Sequence, residues 1–166
     1  MLNTLTTQDW MQVIQETACE VATVALGFEE CVKGPENVKI RSGLSGAYLP
    51  LSTTTEQIQV GLLADDAGCQ ALAKALLGME QTEPDLSMGD MSDSFSEIVN
   101  MLAGGLKRRL EGRVDVKLGL PLFVNGVVQP NSHITILATE LQLGAVEAVV
   151  LLVVPSAAGL APASKA

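Results

Sequence analysis

Apolar and polar positions along the chain divide into stretches that recur at helical spacing and stretches that alternate as in strands. Over residues 7–26, Trp10, Val13, Ile14, Ala18, Val21, Ala22 and Ala25 fall at helical spacing, with Thr6 and Asp9 as a candidate capping pair and Gly27 as the stop. Residues 33–46 are rich in Gly, Pro and Asn and read as loop, with one short strand at 38–40. Residues 47–53 and 57–64 are extended runs joined by a Thr-rich turn, the pattern of an antiparallel pair. Asp65 or Asp66 caps a second helix running to Leu77, whose apolar face is Cys69, Leu72, Ala73 and Leu76, with Gly78 ending it. Residues 81–89 lack periodicity and read as a linker. A third helix follows over about 91–110, then extended segments at 114–118, 134–141 and 146–154, with Gly144 turning between the last two. Each half thus reads as a long helix followed by strands, an αββ-type repeat. Residues 156–166 are small and weakly polar and are expected to be a disordered tail.

At 166 residues the chain is long enough to bury a substantial core. Its 10 basic against 19 acidic residues give a formal charge of -9, which repels a phosphate backbone, so nucleic acid is not expected as a partner. The most apolar stretch, 148–154, is far short of a bilayer span and reads as a buried strand. The first residues carry no basic segment of the kind that opens a secretory signal, so a cytoplasmic location is expected. Cys19, Cys31 and Cys69 are odd in number, share no ligand-like spacing and have only His133 for company, so neither a disulfide framework nor a metal site is expected. Cys19 and Cys69 read as small buried apolar residues.

The third helix carries the candidate chemistry. Stepping about 100° per residue puts Phe95, Ile98, Val99, Leu102, Leu106 and Leu110 on one side, which must face a sheet. Asp93, Glu97, Asn100, Gly104 and Arg108 line the opposite side at spacings of three and four. The plain reading is a solvated helix face, and Ser94 with Glu97 also matches a capping box, which would make Glu97 a terminal residue. Against that, Asp90 offers an earlier cap, and neither cap accounts for Asn100. Gly104 and Gly105 each cost about 1 kcal/mol relative to alanine within a helix, so something must offset them. Gly104 shares the Glu97 face and would admit a close-approaching group; the alternative is that Gly105 relieves crowding against a neighbouring helix and Gly104 is incidental. Lys107, Arg108, Arg109 and Arg113 form a basic cluster that complements the helix dipole.

The segment from Asp93 through Glu97, Asn100 and Gly104, followed by Gly119-Leu-Pro121, resembles the signature of the CheX/CheC/FliY phosphatases. In that signature an acidic residue or serine precedes a glutamate, an asparagine follows it, and a proline comes some twenty residues on; here the proline falls slightly nearer to Asn100. The resemblance implies an α+β fold, with two αββ-type halves, about 1–80 and 90–155, forming one antiparallel sheet under two long helices. It implies hydrolysis of the aspartyl phosphate on a CheY-type response-regulator receiver domain. Asn100 would orient the attacking water and Glu97 would engage the receiver's lysine, with Asp93, Gly104 and Arg108 contacting the partner. No cofactor of its own is implied, Mg2+ being expected in the receiver. The alternative is a non-catalytic module that binds a receiver or a flagellar-switch component. Only one such site is expected, because in the first helix Glu16 is followed by Cys19 and Glu20 by Thr23, neither of which supplies the carboxamide. The apolar strand 146–154 would be a hazard as an open edge, and CheX-type relatives pair through their sheets, so a homodimer is expected.

Overall fold

The capping pair at the start of the chain's first helix is formed in the computed structural model, which describes residues 5–156. Thr6 Oγ1 accepts from the Asp9 amide, and the Asp9 carboxylate accepts from the Thr6 amide at 2.8 Å, opening α1 (Thr7–Glu20). The helix does not run on to Leu26 as one piece. A π-helical turn, Val21–Ala25, replaces its last stretch, where Val21, Thr23 and Val24 are β-branched and Thr23 Oγ1 donates to the Cys19 carbonyl.

Seven strands follow around two further helices: β1 (Val32–Glu36), β2 (Ser45–Ser52), β3 (Gln57–Ala64), α2 (Asp66–Leu76), α3 (Met88–Arg109), β4 (Lys117–Leu118), β5 (Leu122–Val124), β6 (Ile134–Leu143) and β7 (Val146–Pro155). They form one antiparallel sheet in the order β1-β6-β7-β3-β2-β4, with β5 also on β2. Exchanging the two halves of the chain, so that β1 takes the place of β4, β2 of β6 and β3 of β7, reproduces the same order read backwards. β7 therefore lies at the centre, bonded to β6 and β3 on its two sides, and is not an open edge. Its hydrophobicity reflects burial on both faces. Leu143 opposes Val146 across a turn in which Gly144 sits at φ 62°, a conformation that glycine takes without strain.

All three helices cover one face. Trp10 and Ile14 of α1, Leu72 of α2 and Phe95, Ile98, Leu102 and Leu106 of α3 pack with Leu49, Leu51, Val60, Val150 and Leu152 of the sheet in the main core. The opposite face holds a second apolar cluster. Tyr48, Leu63, Leu151 and Val153 are covered there by Leu44, Val38 and Ile40 from one irregular segment and by Val127 and Val128 from another. The expected short strand at 38–40 is thus a covering segment, while the strand lies earlier, at β1. The Val38 amide still donates to the Ala138 carbonyl at 3.2 Å.

One further expectation is corrected. Cys19 and Cys31 are disulfide-bonded, with Cα atoms 5.3 Å apart, so Cys19 is not simply a small apolar residue. The linker at 81–89 is tied down: buried Lys74 donates to the carbonyls of Gln81 and Glu83 and to Asp85, and Gln70 bonds both the amide and the carbonyl of Leu86. Apart from Ser156, the expected disordered tail lies outside the described residues.

Candidate functional site

The start of α3 decides what Glu97 is. Ser87 is the N-cap: its Oγ accepts from the Asp90 amide at 3.1 Å and donates to the Asp90 carboxylate at 2.9 Å. The helix therefore begins three residues before the expected Met91, and Asp90 belongs to the first turn. Ser94 is buried inside the helix and donates back to the Asp90 carbonyl at 2.8 Å, so it caps nothing. Glu97 is left with no capping role, nearly three turns into a regular helix.

The inner stripe is as the spacing predicts. Phe95, Ile98, Val99, Leu102, Leu106 and Leu110 are all buried. Asp93, Glu97 and Arg108 are exposed on the outward side, and Asn100 and Gly104 are half-buried between them. Neighbours at such spacings have Cβ atoms about 5–6 Å apart, so the Glu97 carboxylate and the Asn100 carboxamide share one patch of surface. Among the described residues neither side chain has a hydrogen-bond or ion-pair partner within the chain. The patch runs on past Gly104 into an open cleft of about 510 Å³ lined by Gly104, Lys107, Arg108, Glu111, Asp115 and Val116.

The two glycines differ in kind. A Cβ on Gly105 would lie 2.5 Å from Thr17 Cγ2 of α1, whereas one on Gly104 would meet only Arg108 Nη1, at 3.9 Å. Gly105 is a close helix contact, and Gly104 leaves open surface beside Asn100. Of the basic cluster, Arg109 is committed to α1, pairing with Glu16 at 3.7 Å and with Glu20. Arg108 stays on the Glu97 side.

Beside α3 lies a contact that the pattern of the sequence did not single out. Phe123 of β5 stacks edge-on against Phe95, with ring centroids 5.7 Å apart, which fixes the 117–124 segment beside the helix. Pro121, the proline of the signature, lies in that segment, and its neighbour Leu120 is 85% exposed. Leu122 is 65% exposed. His133 is exposed in its turn, its amide donating to Asn131 Oδ1. Among the described residues no group of three or more His, Cys, Asp or Glu is placed to hold a metal ion, and no helix is long and apolar enough to cross a membrane.

Residues 51–134, just over half the chain and including Glu97, Asn100 and Pro121, match the family model described as chemotaxis phosphatase CheX. The sequence matches no curated protein. Among solved structures, the fold is similar to a CheX from Vibrio vulnificus (18% identity, TM-score 0.72, covering 87% of this chain and 97% of that one). It is similar to a CheC-like superfamily protein from a Shewanella species (13% identity, TM-score 0.73, 90% and 98% covered). It also matches the CheX–CheY–BeF3–Mg2+ complex from Borrelia burgdorferi (16% identity, TM-score 0.71, 89% and 98% covered). The match of the family model over residues 51–134, on a fold shared with solved CheX and CheC-like structures, places the chain in the CheX family of chemotaxis phosphatases.

Proposed function

We propose that the protein hydrolyses the aspartyl phosphate of a CheY-type receiver domain, with α3 laid into the receiver's active site. The observation that carries this reading is the pairing of Glu97 and Asn100 outward at mid-helix, with no cap, core or ion-pair role among the described residues. The solved complex of a CheX with CheY, BeF3 and Mg2+ supports a receiver as the partner class.

An acyl phosphate is already activated. Its hydrolysis forms a bond from water oxygen to phosphorus and breaks the bond to the aspartyl oxygen, yielding inorganic phosphate and a free carboxylate. The catalyst has to hold water in line, and such positioning contributes several kcal/mol. The Asn100 carboxamide accepts through Oδ1 and donates through Nδ2, so one side chain orients a water and contacts a phosphoryl oxygen. Glu97, one turn away, engages the receiver's lysine. Asp93, Gly104 and Arg108 extend the contact along the helix, Gly104 by leaving room. The Mg2+ belongs to the receiver, and the chain acts as a homodimer.

Asn100→Ala is expected to reduce the acceleration of receiver dephosphorylation by about 100-fold or more, while the thermal midpoint and the affinity for a phosphoryl mimic stay near wild type. Glu97→Ala is expected to weaken that affinity by about tenfold or more. Phosphate release and binding to a BeF3-loaded receiver measure the two effects separately. Wild type that binds the mimic without speeding dephosphorylation would make the protein a receiver-binding module instead. Full activity in Asn100→Ala would overturn the site assignment.

A further inference from the structure

The segment that joins α1 to the sheet is held at both ends by one covalent bond. Cys19 is the penultimate residue of α1, Cys31 directly precedes β1, and the disulfide between them encloses the π-helical turn and residues 26–30. Both cysteines are half-buried at the margin of the main core, so neither is shut inside it. The third cysteine is kept out of exchange. Cys69 is fully buried, its sulfur faces the carbonyls of Ser45 and Ala64, and burial pushes its thiol up to about 12.

What the bond holds is weak without it. β1 is a five-residue edge strand containing Gly34 and Pro35, and its register against β6 shifts between Lys33 and Glu36. Proline gives the ladder no donor and glycine gives it no side chain to pack. Among the described residues a polar tie from β1 to the helix layer is made by Gln15 Nε2, which donates to Glu36 at 3.2 Å. The enclosed segment also forms one wall, residues 27–30, of an open cleft of about 770 Å³. The start of α2 and the β6–β7 turn form its other walls.

We propose that Cys19 and Cys31 are a reversible thiol–disulfide couple whose state decides whether β1 and this cleft wall are fixed or free. The oxidant is a low-molecular-weight disulfide such as oxidised glutathione. One thiolate attacks a glutathione sulfur and displaces a glutathione thiolate; the second thiolate attacks the mixed disulfide and displaces the other. Two protons leave the pair and two electrons pass to the oxidant, which departs as two reduced glutathione molecules. The inference is independent of the reaction proposed for α3.

The full chain, equilibrated in glutathione buffers from fully reduced to fully oxidised and trapped with an alkylating reagent, is the test. Mass spectrometry should show complete, reversible conversion between dithiol and disulfide, with Cys69 labelled in neither form until the protein is unfolded. Hydrogen exchange over residues 21–36 should be faster in the reduced form and unchanged over 91–109, and the thermal midpoint should fall by roughly 5–10 °C. Cys19→Ser and Cys31→Ser should each behave as the reduced protein and ignore reductant; if either fails to fold, reduced wild type carries the comparison. A pair that stays bonded in excess reduced glutathione is a fixed cross-link, and one that never bonds is no couple. Either result overturns the proposal, as does equal exchange over 21–36 in both states.

Discussion

Two adjacent glycines in α3 make opposite predictions. Gly105→Ala drives a methyl group into Thr17 on α1 and is expected to cost about 1–3 kcal/mol. Gly104→Ala meets only Arg108 Nη1, at an ordinary contact distance of 3.9 Å, and is expected to stabilise by about 0.5–1 kcal/mol. Chemical denaturation of both variants measures the difference, and Thr17→Ala should recover part of the Gly105→Ala loss. If Gly104 leaves room for a receiver, its alanine variant gains stability while losing activity. The helical wheel put only one of the two on the Glu97 face, yet the contact to Thr17 depends on how α1 crosses α3, which no local pattern encodes. Cys69 makes a pH prediction with a definite sign. Its folded pKa is raised from 9.0 to about 12 by burial, so the folded state keeps a proton that the unfolded chain releases. That contribution to stability is fully present below pH 9 and is lost as the pH rises from 9 toward 12. Denaturation midpoints across that range should fall more steeply in wild type than in Cys69→Ala, whose own lower baseline reflects the lost packing.

The elements were legible where period and length were both strong. The inner stripe of α3, the β2–β3 hairpin, α2 and the two long C-terminal strands all follow from spacing and turn residues. The start of α3 was not, because Ser87 with Asp90 and Ser94 with Glu97 present the same box spacing and differ only in which serine has left the helix. Ser87→Ala is accordingly expected to cost about 1 kcal/mol and Ser94→Ala less, as read by denaturation. β1 escaped because Gly34 and Pro35 mask a strand that exists through its pairing with β6 and its tether to α1. The disulfide escaped for the same reason: twelve residues of sequence separation say nothing about a 5.3 Å approach. The outward face of α3 was readable in sequence because a helix fixes its own neighbours. Its relation to the 117–124 segment needed the sheet, since Phe95 and Phe123 meet only through β2 and β5.

At the scale of the whole molecule, the central place of β7 moves the argument for self-association to the real edges of the sheet. On one side β1 is short and interrupted by Gly34 and Pro35, features that discourage pairing with another chain. On the other side, along β4 and β5, Leu118, Leu120 and Leu122 are 38%, 85% and 65% exposed at alternate positions, a row of apolar side chains beside unpaired backbone. Charge favours the same edge. The chain carries -9 overall, so two copies repel in general, but no acidic residue lies between Asp115 and Glu140 and none in β2, on which both short strands pair. Repulsion is therefore least where apolar exposure is greatest. The proposed homodimer is expected to form across this edge, with light scattering at micromolar concentration giving twice the 17.4 kDa of the chain. Leu120→Asp places a carboxylate at its most exposed point without touching the core, and should return the protein to monomer with its thermal midpoint nearly unchanged. A monomer mass that persists in wild type as concentration rises rejects the dimer. A dimer that survives Leu120→Asp intact moves the interface elsewhere, the partly buried apolar residues over the outer sheet face, Val38, Ile40, Val127 and Ile136, being the next to substitute.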